Sequence, residues 1–292
     1  MAQRQRMLYQ SVWNCTWNYT TMDRSSPKTE TDSKTEQDAW RNLISELDLW
    51  QAEGLRASFW WRDDDAATTG PQLERLLALS VKTNAPIALA TIPARAGKEL
   101  ADAIHAHPTA CVLQHGYAHV NHAAGSGDVG AWELGRHRPL SVVLQELSEG
   151  RQILFDLFSD DSFVPVMVPP WNRIDAEVIA PLASLGFVGL SLCDARTAPE
   201  AAPGLRLVNA HCDPIKWRGG PRFTGTAKSI AQLTEHLSAR RLGTADSAEP
   251  TGLLTHHIDH DDAVWRFCED LLAALNNHPA AYFVTPKELF PS

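Results

Sequence analysis

Apolar positions along the chain recur with two periods that alternate from about residue 38 onward. In 38–51, Trp40, Leu43, Ile44, Leu47 and Trp50 fall three and four residues apart, the spacing that lays one stripe along a helix. The run LRASFWW (55–61) that follows is short and aromatic, and reads as a strand. The same exchange continues, with helices predicted over 70–83, 97–107, 141–158, 175–186, 228–241 and 262–277. Strands are predicted over 86–92, 111–114, 163–168, 187–192, 205–211, 252–257 and 280–285. Strands alternating with helices of this length imply βα units and a parallel sheet. About eight of them favour an α/β barrel over a doubly wound open sheet.

Polar clusters sit at the same end of five of these strands. RDDD follows ASFWW, QHGYAH follows CVL, PPWNR follows VPVMV, HCDPIKW follows LVNA, and HHIDHDD follows GLLT. In a βα barrel, chemistry gathers where strands end and loops begin. The convergence predicts an active site at that rim.

Composition narrows the partners. The 292 residues are 44% apolar and 21% charged, enough for one large domain with its own core. With 26 Lys and Arg against 35 Asp and Glu and no basic stripe, nucleic acid is not an expected partner. No run approaches the roughly 20 apolar residues of a membrane helix, so no membrane partner is expected. Nothing in the sequence indicates an oligomeric state. The five cysteines are scattered and never in C-x-x-C spacing, which predicts reduced thiols in a cytoplasmic protein. MAQRQRMLYQSVWNCTWNYT reads as an extension rather than a signal peptide, because polar residues interrupt any apolar core. MDRSSPKTETDSKTEQ has the composition of a disordered linker. A disordered or weakly ordered extension over 1–36, followed by a single domain over 37–292, is therefore expected.

Among the clusters, Asp63, Asp64 and Asp65 are consecutive, and successive strand side chains point to opposite faces. At most two should face a site. His115 and His119, in H-x-x-x-H spacing, place two imidazoles on one side of a turn. Singly these are a solvated acidic turn and structural histidines. Together, an aspartate from one strand end and two histidines from another make the three-ligand count of a catalytic zinc with one position open. The turn after Pro169 and Pro170 can present the Trp171 N–H as an oxyanion donor. His256 or His257, at a strand end, suits proton transfer near neutral pH. Trp60, Trp171 and Trp217, with Asn172 beside them, are candidate pocket walls of a kind suited to stacking on sugar rings.

These motifs resemble the polysaccharide deacetylases of the carbohydrate-esterase type, including a cytosolic-looking branch with an R-x-D-D signature. The resemblance spans roughly residues 57 to 285. It implies a distorted β/α barrel of seven to eight strands that removes N- or O-acetyl groups from a carbohydrate, with one divalent metal, zinc, as cofactor. Reading RDDD as R-x-D-D makes Asp64 the general base and Asp65 a metal ligand with His115 and His119. It makes PPW the oxyanion loop, puts Asp213 near the catalytic acid and Trp217 in the pocket wall, and makes His256 of LTH the acid. One departure is the arginine that in the family precedes the proline turn and holds the base. MVPP has none, which leaves Arg62 or Arg173 for that role. The triple aspartate also admits Asp63 and Asp64 as the working pair. Two other functions share these residues: a metal-dependent amidohydrolase acting on a non-sugar amide such as a ureide, and a degenerate barrel that only binds carbohydrate.

Overall fold

Strand β1 (Ala57–Ala66) is buried along its whole length except at Asp65, which is partly exposed. A strand covered on both faces belongs at the middle of a parallel sheet. The computed structural model, which describes residues 30–127 and 130–291, places it there. One edge of β1 pairs in parallel with β2 (Ile87–Thr91). The other edge pairs with β10 (Thr251–Thr255) and, lower down, with β11 (Ala281–Phe283). From β2 the parallel order continues through β3 (Ala110–His115), β4 (Phe163–Val168), β5 (Gly189–Leu190) and β7 (Leu205–Leu207). β6 (Glu200–Ala202) lies antiparallel against β7.

Past β7 the backbone reaches β10: His211 N–H donates to Gly252 O (2.8 Å), and Leu254 N–H to Cys212 O (2.8 Å). Two residues, rather than a regular strand pair, thus carry the hydrogen bonding from the last parallel strand back to β10. The barrel expected from the sequence is present in this distorted form, with seven parallel strands in order.

Period-two alternation sorts the side chains. Trp60, Ala88, Leu113, Val166, Val168 and Val208 meet inside the ring, where Phe290 joins them. Phe59, Trp61, Ile87, Leu89 and Val112 face outward onto helices, chiefly α1 (Glu30–Ala52), α2 (Pro71–Thr83), α6 (Thr226–Arg241) and α7 (Asp262–Asn277). Phe290 follows the short helix α8 (Pro286–Leu289) and closes the end where the strands begin. Its ring explains Gly189, where a Cβ would lie 2.3 Å from Phe290 Cδ1. The remaining helices, α3 (Lys98–His105), α4 (Leu140–Ser162) and α5 (Ala176–Ile179), complete the crossovers. Two short strands, β8 (Ile215–Lys216) and β9 (Arg222–Phe223), pair antiparallel over the rim.

Two element boundaries and the placement of one residue differ from the sequence expectation. α1 starts at Glu30, inside the stretch read as linker, while residues 1–29 of the expected extension lie outside the described residues. The helix expected over 175–186 breaks into α5 and a single turn, Ala183–Leu185, because Pro181 has no N–H to donate. Trp60, expected on a pocket wall, is sealed in the barrel core with 0% exposure, its indole N–H donating to Asn209 O (2.9 Å). No helix among the described residues is long and apolar enough to cross a membrane.

A buried polar network secures the β7-to-β10 junction. Glu249 accepts from Asn209 N–H (3.0 Å) and Arg196 N–H (2.9 Å), and His211 Nδ1 accepts from Gly252 N–H (2.9 Å). His236 Nδ1 meets Thr251 Oγ1 (2.9 Å), and Arg240 donates to Ser58 O (2.9 Å). Burial pushes His211 down to about 4 and lowers His236, so both imidazoles are neutral in the fold at neutral pH. In the unfolded chain histidine titrates near about 6.5. As pH falls from there toward 4, the unfolded state binds protons first, so stability falls with pH, by up to about 1.4 kcal/mol per unit for each histidine. His115 and His257, shifted upward instead, are protonated in both states below about pH 6.5 and add no slope in that window. The urea midpoint is therefore expected to be lower at about pH 5 than at about pH 6.5. An equal midpoint at the two pH values would contradict the neutral state of the buried histidines, among them His119 and His260, which burial also pushes down to about 4.

Candidate metal centre and hydrolytic site

The end of β1 breaks the strand's alternation. Its register against β2 shifts between Asp63 and Ala66, and Asp65 takes a left-handed φ of 71°. An irregularity of this kind re-aims a side chain. Asp64 faces the interior as alternation requires, and the left-handed residue turns Asp65 to the same side. Asp63 faces the other way, where Thr255 Oγ1 (2.7 Å) and His257 N–H (3.0 Å) donate to it and His257 Nδ1 pairs with it. The structure thus brings Asp65, not Asp63, to the histidines.

His115 closes β3. Its Nδ1–H donates to the Val168 carbonyl (2.9 Å), which aims Nε2 at Asp65. Nε2 of His115 and Nε2 of His119 each lie 3.2 Å from Asp65 Oδ1, a buried oxygen with no hydrogen-bond partner. Burial alone would raise the Asp65 carboxyl; His119 and His115 outweigh it and hold the group below its ordinary range. Burial pushes His119 down to about 4. Two imidazole nitrogens converging on an orphaned buried carboxylate oxygen can hold a divalent cation.

The turn between the histidines is shaped by residues that the sequence motifs do not single out. Gly116 has φ 55°, and a Cβ there would lie 2.0 Å from Glu133 Oε2 and 2.7 Å from the Pro170 ring. Buried Glu133 accepts from Tyr117 N–H (3.1 Å) and Ala118 N–H (2.8 Å), which fixes the backbone leading to His119. A lone acid in a long polar loop carries no sequence signal of that role.

His211, His236 and Glu249 form a second buried group of metal-ligand types. There Gly252 N–H occupies His211 Nδ1, so the ring proton sits on Nε2, the atom that faces Glu249 at 3.4 Å. A protonated nitrogen has no lone pair for a metal. At the rim cluster the Nε2 atoms of His115 and His119 both face the Asp65 carboxylate.

Arg62, wholly buried, holds Asp64 by both oxygens: Nε to Oδ1 at 2.9 Å and Nη2 to Oδ2 at 3.1 Å. Its other donors reach Ser191 Oγ (2.7 Å), Leu192 O (3.2 Å) and Asn172 Oδ1 (2.7 Å). Of the two arginines considered for holding the base, Arg62 has the geometry; Arg173 stacks over Trp132 instead. Asn172, expected in the substrate pocket, spends its carbonyl on Arg62. His256 Nε2 lies 4.0 Å from Asp64 Oδ2, and the His256 ring packs edge-on against Trp217 with centroids 4.6 Å apart. Asp213, its carboxyl raised by burial, accepts from Trp217 Nε1 (2.8 Å) and Ile215 N–H (2.8 Å), so it reaches His256 through the indole. Trp171 has φ 56° and its ring lies 4.3 Å from that of His119. Four of the seven left-handed non-glycine residues among those described, Asp65, His119, Trp171 and Asn172, stand in this one site. Such clustering is where backbone strain marks function.

No known family model and no curated protein matches the chain. Solved structures do. A CE4 esterase from Streptococcus mutans superposes with a TM-score of 0.50 at 10% identity, over 86% of this chain and 90% of that one. The chain has the CE4 esterase fold. The chitin deacetylase of the fungal pathogen Colletotrichum lindemuthianum is similar at 13% identity (TM-score 0.47, 82% of this chain and 89% of that one). So is a family 4 acetyl xylan esterase from Clostridium thermocellum, solved with a cobalt ion, at 12% identity (TM-score 0.47, 80% and 90%).

The two histidine clusters give a direct test. His115→Ala with His119→Ala is expected to abolish binding of the divalent metal, read by elemental analysis after dialysis. His211→Ala with His236→Ala should leave metal content unchanged in the folded fraction. Metal lost only in the second variant would reverse the assignment.

Proposed function

We propose that the protein is a metal-dependent hydrolase that removes acetyl groups from an N- or O-acetylated carbohydrate. The observation that carries this reading is the juxtaposition, at one rim, of three side chains of metal-ligand type with a carboxylate locked by Arg62 and an imidazole 4.0 Å from it. Asp65, His115 and His119 would hold one divalent ion, zinc by donor type, which when bound supplies Lewis acidity to the acyl oxygen and to water.

The chain's own residues divide the proton transfers. Asp64, fixed by Arg62, takes a proton from water as its oxygen bonds to the acetyl carbon. The carbonyl electron pair moves to oxygen, for which the Trp171 N–H is the proposed donor. When the carbon–nitrogen or carbon–oxygen bond breaks, His256 gives its proton to the leaving amine or alcohol, and acetate departs. Asp64 then holds a proton and His256 lacks one, and return of that proton between the two neighbours resets the pair. Trp217 and Trp171 supply flat apolar surface suited to sugar rings. A non-sugar amide would use the same groups, and substrate choice is what separates the readings. The free, buried thiols of Cys111, Cys212 and Cys268 support a cytoplasmic setting.

Acetate release from N-acetylated sugars of several lengths tests the reading. Asp64→Asn is expected to lower turnover about 100- to 10,000-fold with metal retained, since it removes a base and no ligand. Asp65→Asn should lose both metal and turnover. If both variants keep both, the hydrolase reading fails.

A further inference from the structure

Asp63 belongs neither to the metal cluster nor to the proton-transfer pair, yet it is fully buried beside them. Its carboxylate accepts from Thr255 Oγ1 (2.7 Å), from His257 N–H (3.0 Å) and from His257 Nδ1. These donors belong to the residues immediately before and after His256. The His256 ring points the other way, toward Asp64, and its own buried Nδ1 has no hydrogen-bond partner. An imidazole that transfers protons is ordinarily oriented by a group bonded to its second nitrogen. Here the ring packs edge-on against Trp217, and its Nδ1 side carries no orienting hydrogen bond.

We infer that Asp63 is a positioning residue for His256, a clamp that grips the backbone on both sides of the acid and takes the place of a direct partner on the ring. This rests on the hydrolase reading above. The three consecutive aspartates then divide the work, with Asp63 placing the acid, Asp64 taking the proton and Asp65 holding the metal.

The test uses the full-length, metal-loaded chain and two probes. N-acetylglucosamine oligomers expel an amine that departs only with a proton; 4-nitrophenyl acetate expels a phenolate that needs none. Asp63→Asn is expected to lower kcat on the oligomers by about 100-fold or more, with KM, aryl-ester turnover and metal content each within about threefold of the parent. His257→Ala should behave like Asp63→Asn, whereas His257→Asn, which keeps an N–H near the place of Nδ1, should retain oligomer turnover within about fivefold. Equal losses on both probes, loss of metal, or undiminished oligomer turnover in Asp63→Asn would overturn the inference. If Asp63→Asn does not fold, the His257 pair decides, and equal turnover in its two members is the contrary result. Should the parent hydrolyse neither probe nor an O-acetylated xylan oligomer, the hydrolase reading falls. The clamp is then judged by hydrogen exchange over 255–258, where Asp63→Asn must lose protection and unchanged protection refutes it.

Discussion

The left-handed backbone at Asp65 is the constraint on which the site depends. A regular strand would send Asp63 and Asp65 to the helix face and leave Asp64 alone at the rim. One residue at φ 71°, with the register slip beside it, puts two adjacent carboxylates on the same side and keeps the third buried behind them. A non-glycine residue in that region costs about 1–3 kcal/mol and persists only where its surroundings over-determine it. Here the surroundings are two imidazoles from the rim beyond β3, two strands away, each 3.2 Å from the Asp65 oxygen.

Carboxylates held this close need compensation, and each has a different source. Asp64 has the buried guanidinium of Arg62, two residues back on the same strand and therefore on the same face. Asp63 has three donors from the end of β10, and Asp65 has the histidines. Leaving Asp64 without Arg62 would strand a buried charge, which costs about 3–5 kcal/mol. Because Arg62 also ties Ser191, Leu192 and Asn172, the ends of β1 and β5 and the proline turn after β4 are held by one side chain. Stability and geometry at the rim thus share the same bonds.

Much of this was legible in the sequence because it is periodic or local. The βα alternation gave the barrel, the five polar strand ends gave the rim, and H-x-x-x-H gave two of the three candidate metal donors. What escaped was set by tertiary contact. The R-x-D-D spacing already favoured Asp64 and Asp65 within the triplet, but the left-handed φ that turns Asp65 toward the histidines is announced by no residue type. Trp60 looked like a pocket wall because aromatic character does not say how far below the rim a strand residue lies. Glu133 and the Glu249 network depend on residues brought together from far apart in the chain. α1 begins at Glu30 although its first turns are as polar as a linker, since the apolar stripe that docks it, Leu43, Leu47 and Trp50, comes later.

Anomalous scattering from crystals of the metal-loaded protein, recorded at the metal's absorption edge, tests most directly whether this bulge builds the site. One peak is expected in contact with Asp65, His115 and His119, with Asp64 beside it and still paired to Arg62. A peak ligated by Asp63 or Asp64 in place of Asp65, or lying between His211, His236 and Glu249, would contradict it.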